Sequence, residues 1–327
     1  MNDSAFAGKR TVVTGGAGFI GSHLARRLVA AGAEVTIVDS LVPQYGGNLA
    51  NLRDIKPRVR LNVSDVRDPF SIRHLLRDQD YLFNLAGQTS HADSMTDPVT
   101  DLNINCAAQL SILEASREVN PDIRVVFAST RQLYGRPEYL PVDELHPLRP
   151  VDVNGINKLA GEQYHRLYSE VYGIRSSILR LTNTYGPGMR ICDARQTFLG
   201  IWIRQALEGQ PIEVWGGEQL RDFNYVSDVV DALLLAASSN DAIGQCFNLG
   251  GPERISLAGL AQLLCELQTG VEFTVLPFPE ERKAIDIGDF YADYSRFSKL
   301  GWQPETRLRD GLERTLRYFS NNLQAYL

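Results

Sequence analysis

Cysteine is scarce in this chain. Cys106, Cys192, Cys246 and Cys265 are the only four among 327 residues, and no two of them form a CxxC pair. Without clustered histidine partners, that pattern argues against a disulfide framework and against a zinc or other metal site, and it fits a reducing cytoplasm. Long apolar runs are also missing. The longest, Val229 to Ala237, contains Asp231 and is far shorter than the ~20 residues a membrane helix needs. No signal-peptide pattern is visible, so no membrane partner is expected. Basic charge is not in excess: 33 Lys and Arg against 39 Asp and Glu leave a formal charge of −6, without the footprint of a nucleic-acid binder. Repeats, low-complexity tracts and flexible linkers are absent, and 44% hydrophobic with 22% charged residues is the composition of a folded globular protein.

What the sequence does contain is alternation. Short β-branched runs at Arg10–Thr14, Glu34–Val38, Val59–Leu61, Tyr81–Leu85 and Ile123–Ala128 are separated by helical patterns at 18–31, 69–77 and 102–119. A long helix over 154–172 and another strand over 174–181 follow. Strand–helix alternation of this kind predicts βαβ units and a Rossmann-type, doubly wound parallel sheet, an α/β fold. The texture then changes to loops punctuated by glycine and proline. We expect a dinucleotide-binding domain over residues 1–182, with returns near 226–248, and a smaller, discontinuous substrate portion over 183–225 and 249–327.

Thr14-Gly15-Gly16-Ala17-Gly18-Phe19-Ile20-Gly21 ends the first strand and opens the first helix. Gly15 suits the tight turn, Gly18 lets backbone approach a pyrophosphate, and Gly21 allows close helix–sheet packing, while the helix N-terminus offers free amides and a positive dipole. Asp39 lies 18 positions beyond Gly21 at the end of the second strand, where an acidic residue takes ribose hydroxyls. A carboxylate there repels a 2′-phosphate, and the following Ser40, Leu41, Val42 and Pro43 supply no cation, so NAD is favoured over NADP. Asp65-Val66 and Ala86-Gly87-Gln88 follow the third and fourth strands, on the edge where parallel sheets bind ligands.

The sequence resembles the extended short-chain dehydrogenase/reductase family, in its nucleotide-sugar epimerase/dehydratase branch. The resemblance runs along essentially the whole chain: the glycine turn, Asp39, Asp65-Val66, Leu85-Ala86, Asn105, Ser129-Thr130, Asn157-Lys158, Arg180 to Asn183, Tyr185-Gly186-Pro187, Arg221-Asp222-Phe223 and Asp228. It implies a tightly held NAD that takes a hydride from a sugar ring and usually returns it, a nucleoside-diphosphate sugar as substrate, and a homodimer built on two long helices per subunit. Carried over by position, Thr130 binds the reacting hydroxyl and Lys158 the nicotinamide ribose. Asn105 belongs to the cofactor site, Ser90 lies on a substrate loop, Asn183 and Arg221 bind the diphosphate, and Lys283 and Asp286 fall where relatives hold diphosphate and nucleoside.

Two departures stand out. Four residues before the lysine the family carries a tyrosine that is the general base; here that residue is Asn154, and an amide cannot accept and return a proton near neutral pH. Replacement candidates are expected on loops that face the nicotinamide: His91, which is the best proton acceptor by chemistry, and Cys192 or Asp193. Beside Thr130, the Asp-Glu pair of the dehydratases is replaced by Arg131-Gln132. Arg131 either faces an anionic substrate group such as a uronate carboxylate or makes a structural salt bridge. Epimerisation is therefore the expected reaction, with a non-standard dehydratase, a uronate-converting enzyme, or a catalytically silent NAD or sugar-nucleotide sensor as alternatives. Trp202, Trp215 and Trp302 are expected in the core, although Trp215, in a glycine-flanked loop, could instead stack on a base.

Overall fold

A computed structural model describes residues 3–279 and 286–327. Its strands are β1 (Arg10–Thr14), β2 (Glu34–Asp39), β3 (Val59–Val63), β4 (Tyr81–Asn84), β5 (Arg124–Thr130), β6 (Arg175–Leu181), β7 (Asn183–Tyr185), β8 (Ile212–Trp215), β9 (Leu220–Tyr225), β10 (Cys246–Asn248), β11 (Arg254–Ser256) and β12 (Phe273–Leu276). The helices are α1 (Phe19–Ala30), α2 (Pro69–Leu75), α3 (His91–Thr96), α4 (Pro98–Leu102), α5 (Ala108–Val119), α6 (Val153–Tyr172), α7 (Phe198–Leu207), α8 (Val226–Ser238), α9 (Leu257–Leu267), α10 (Ser295–Ser298) and α11 (Leu308–Asn322).

Seven strands form one sheet in the order β10-β6-β5-β4-β1-β2-β3, every neighbouring pair parallel. Strands covered on both faces read as continuous apolar runs rather than as alternation. This explains Val12 and Val13 of β1 and Ile37 and Val38 of β2, all essentially sealed from solvent. Helices α1 and α8 cover one face; α2, α5 and α6 cover the other. Strand order reverses between β1 and β4, so the carboxyl ends of these two strands border a crevice, the position where open α/β sheets bind ligands.

A second apolar core joins α7, α9 and α11 to β8 and β9. Beside it lie a three-stranded sheet, β11-β9-β7, and a two-stranded one, β12-β8.

Three expectations need correction. The pattern over 102–119 is not one helix: α4 starts on Pro98, capped by Asp97, and a π-helical turn over Asn103–Ala107 precedes α5. The extra residue in that turn rotates Ile104 and Asn105 into the interior. His91 lies in a helix rather than a loop, because Ser90 accepts the Asp93 amide and caps α3. Trp215 is the last residue of β8, paired with Leu276, and not part of a loop. Trp202 and Trp302 are buried in the two cores as expected.

Candidate active site

The glycine turn closes β1 against the end of β4. Gly15 has φ +68°, and a Cβ there would sit 3.0 Å from both the Leu85 carbonyl oxygen and the Ala86 amide nitrogen. A Cβ on Gly21 would run into the Gly15 carbonyl. No side chain caps α1 at Gly18, which leaves its first-turn amides, those of Phe19, Ile20 and Gly21, available to an anion. Asp39 accepts the Ala17 amide at 3.0 Å and the Leu41 amide at 2.9 Å, tying the end of β2 to the turn. Burial raises its carboxyl above the usual range, opposed by those amides. Asp65 pairs with Arg67 at 2.7 Å. Gly15, Gly18, Phe19, Ile20, Gly21, Asp39, Asp65, Val66, Leu85 and Ala86 all line one open cleft of about 1640 Å³, and Thr130, Arg131, Lys158, Asn154, His91 and Asn183 line the same cleft. The site thus fits a dinucleotide: a backbone cradle that a Cβ would fill, free amides for a diphosphate, and a carboxylate at the ribose end.

Lys158 is a buried charged group that lines the cleft. Its ammonium donates to the Ala128 carbonyl at 3.2 Å, stands 5.1 Å above the Phe127 ring, and has no carboxylate at ion-pair distance among the described residues. Burial lowers it to about 8, against the opposing influence of Asp101. One helical turn earlier, the Asn154 amide donates to the Gln88 carbonyl at 2.8 Å and to Asp101 Oδ2 at 3.0 Å. Asn105 donates to the same two acceptors, at 2.8 and 3.0 Å, and Asn157 donates to Asp101 Oδ1 at 2.8 Å. Three amides therefore gather on one buried carboxylate.

Thr130 ends β5 and caps the following turn, its hydroxyl accepting the Gln132 amide at 3.3 Å. His91 is linked to this turn through the Gln132 side chain. Its Nδ1 is 2.8 Å from Asp152 Oδ2, and its Nε2 is 2.6 Å from Gln132 Nε2. Asp152 also caps α6, with Oδ1 accepting the Gly155 amide at 2.6 Å. Burial works against its ionisation, but the His91 contacts and the Gly155 amide outweigh it and hold the carboxyl below the ordinary value.

Arg131 leans over Phe290, its guanidinium carbon 5.1 Å from the ring centroid. Nη2 donates to Asn183 Oδ1 at 3.1 Å, whereas Nη1 is buried without a hydrogen-bond partner among the described residues. Burial and the like charge of Arg221 pull Arg131 down to about 9.

Several anticipated residues are committed elsewhere. Gln88, Ser90 and Asn105 are not among the lining residues of this cleft. The Gln88 side chain bonds back to Ser90, Ser90 caps α3, and Asn105 braces the Gln88 carbonyl. Arg221 and Asp286 are likewise outside the lining: the Arg221 guanidinium donates to the Leu220 and Gly288 carbonyls and stands 3.7 Å from Asp286 Oδ1. Lys283 lies outside the described residues. Cys192 and Asp193 do not line the cleft either; Asp193 pairs with Arg190 at 2.5 Å. Tyr134 is fully buried, bonded to Asn248 and Arg180 at 2.6 Å each. Sequence reasoning missed Asp152, which gave no signal beyond its cap position before α6, and assigned no role to Gln132. Among the described residues, no group of three or more His, Cys, Asp or Glu could hold a metal ion, and no helix is long and apolar enough to cross a membrane.

A family model described as "NAD dependent epimerase/dehydratase family" matches residues 11–250. UDP-glucuronic acid decarboxylase 1 of Xenopus tropicalis is 33% identical over 97% of this chain and 73% of its own length. A crystal structure of UDP-glucose 4-epimerase with UDP-glucose from Thermotoga maritima superposes with a TM-score of 0.88 at 30% identity, covering 96% of this chain and 99% of that one. UDP-glucuronic acid 4-epimerase from Bacillus cereus, in complex with UDP-glucuronic acid and NAD, gives 0.86 at 27% identity, covering 96% and 98%.

Proposed function

Because the chain belongs to the NAD-dependent epimerase/dehydratase family, we propose that it is an NAD-dependent epimerase of a nucleoside-diphosphate sugar. The observation that carries this reading is one continuous cleft. It joins the glycine turn and Asp39 to Thr130, Lys158 and Asn183, so that a dinucleotide site and the candidate catalytic groups share one space. NAD, when bound, supplies a site that accepts a hydride from a ring carbon and returns it.

The chain's own groups divide the remaining work. Amides of Phe19, Ile20 and Gly21 hold the cofactor diphosphate, with the Gly18 backbone close against it, Asp39 the adenosine ribose, and Asp65, Val66, Leu85 and Ala86 the flanks of the cofactor. Lys158 grips the nicotinamide ribose. Its single hydrogen bond among the described residues, to Ala128, leaves two N–H donors for ligands. Thr130 positions the reacting hydroxyl, and Asn183 and Arg131 receive the anionic part of the substrate. Residues 183–225 and 249–327 form the substrate-binding portion.

A second reading of the substrate is favoured by Arg131. A buried guanidinium N–H without an acceptor is costly, and a sugar carboxylate entering beside Thr130 supplies one. Relatives named for UDP-glucuronic acid support a uronate substrate.

The test is incubation with UDP-glucose, UDP-N-acetylglucosamine and UDP-glucuronic acid, with products identified by proton NMR and mass. Conversion to a C4 epimer of equal mass supports the reading. Loss of water or carbon dioxide replaces epimerisation with dehydration or decarboxylation, and retained NAD with no conversion replaces it with the sensor.

A further inference from the structure

We propose that His91, oriented by Asp152, accepts and returns the substrate hydroxyl proton in place of the absent tyrosine, and that the Gln132 amide turns over to follow its protonation. The inference rests on the epimerase reading above.

The hydrogen-bond network assigns the ring's tautomer. Asp152 Oδ2 can only accept when ionised, so the 2.8 Å contact puts the proton on His91 Nδ1. Nε2 then carries a lone pair, which accepts from Gln132 Nε2 at 2.6 Å. Asp152 is itself fixed, because its other oxygen caps α6 through the Gly155 amide. The helix that carries Lys158 therefore also holds the carboxylate that aims the imidazole.

Gln132 shows why this arrangement suits a group that gains and loses a proton. Its Oε1 is buried and has no hydrogen-bond partner among the described residues. When Nε2 is protonated, a half-turn of the amide brings Oε1 to accept from Nε2–H and gives that oxygen the partner it lacks. The same short segment holds Thr130, whose hydroxyl accepts the Gln132 backbone amide at 3.3 Å, so the hydrogen-bond partner of His91 and the hydroxyl-positioning group share one turn. All three residues line the cleft. The charged groups around the ring are Asp152 at the start of α6, Arg131 beyond it after β5, and Asp93 on α3, which is 3.6 Å from Arg195.

A sugar hydroxyl displaces the Gln132 amide from Nε2. Its O–H bond breaks, and the proton forms an N–H bond at Nε2. The O–H electron pair stays on oxygen and becomes the second bond of the new carbonyl, while the ring C–H electron pair leaves as hydride by the dinucleotide chemistry stated above. Return of the hydride regenerates the hydroxyl with the proton from Nε2. The imidazolium formed between these events is paired with Asp152.

Two measurements test the proposal. The first needs no substrate: side-chain ¹⁵N NMR of the NAD-loaded protein across pH. His91 is expected to be the Nδ1–H tautomer at high pH, with the Gln132 side-chain amide shifting at the same midpoint as His91. An Nε2–H tautomer, or a Gln132 amide indifferent to that midpoint, overturns the proposal.

The second uses Asp152→Asn and His91→Gln, with UDP-glucose and UDP-glucuronic acid as probes. Asparagine keeps an oxygen to cap Gly155, but its N–H donates to His91 Nδ1 and forces the ring proton onto Nε2, the wrong tautomer for a base. Both variants are expected to bind NAD as the wild type does, to keep KM within about threefold, and to lose roughly 10²-fold or more in kcat, as expected when general acid–base catalysis is removed. The acidic limb of the wild-type pH profile should vanish in His91→Gln. Retention of kcat within twofold in either variant overturns the proposal. A wild type that converts neither probe counts against the epimerase reading, and the NMR result alone then decides the role of the His91 cluster.

Discussion

Asn154 Nδ2 lies 3.0 Å from Asp101 Oδ2, inside a cluster that also brings Asn105 and Asn157 to the same carboxylate. The residue standing where the family has its base is thus part of the scaffold under Lys158. Its amide braces a buried charge and the Gln88 carbonyl, and it has no proton to exchange.

Asn154→Ala is therefore expected to lower stability more than chemistry. Asp101 and the Gln88 carbonyl each lose one donor, a cost of about 1–3 kcal/mol, seen as a lower Tm. At a temperature where the variant is folded, kcat should stay within about tenfold of wild type, whereas Thr130→Ala and Lys158→Ala each lose roughly 10²-fold. An Asn154→Ala variant as inactive as Lys158→Ala would give the amide a direct role.

Cofactor choice should follow Asp39. Its carboxylate is held by the Ala17 and Leu41 amides at the end of β2, so a 2′-phosphate meets a fixed negative charge. Fluorescence titration is expected to give NAD at least a tenfold lower Kd than NADP, and equal affinities would remove the role assigned to Asp39.

Much of this end of the site was legible in the sequence, because the glycine turn and Asp39 take their positions from the strand and helix on either side of them. The parallel sheet was legible for a related reason: strands buried on both faces must be apolar throughout. What could not be read was direction. Gln88, Ser90, Asn105 and Arg221 sit near the site in chain position, but their side chains turn to caps and carbonyls, which spacing does not encode. His91 and Asp152 are 61 positions apart, and only the docking of α3 against the start of α6 brings them together. The π turn before α5 was hidden because its residues continue a helical pattern.

Lys158 should trade stability for function. Its folded pKa of about 8 lies below the ordinary 10.5, so the charged lysine costs stability below pH 8, and that cost fades as pH rises from 8 to 10.5. In the cofactor-free protein, Lys158→Met is expected to gain as much as about 3 kcal/mol at pH 7, less at pH 9, and in the loaded protein to lose roughly 10²-fold in turnover, as Lys158→Ala does. Denaturant melts at the two pH values check this; a gain that grows with pH would contradict it.

Assembly is expected to use α6. Ile156, Leu167, Val171 and Tyr172 are exposed on that helix, with Val99 and Leu102 exposed on α4. A homodimer interface there would bury more than ~1,200 Å². Light scattering at micromolar concentration should report a dimer, and Val171→Glu should weaken it. A monomeric wild type would remove the proposed interface.

The most direct comparison sets His91→Gln beside Asn154→Ala, as kcat on whichever UDP-sugar the wild type converts, with NAD occupancy measured in each. If the proton passes through His91, the glutamine variant holds NAD and loses roughly 10²-fold or more, while the alanine variant keeps most of its turnover. An active His91→Gln beside an inactive, folded and NAD-loaded Asn154→Ala would contradict that assignment.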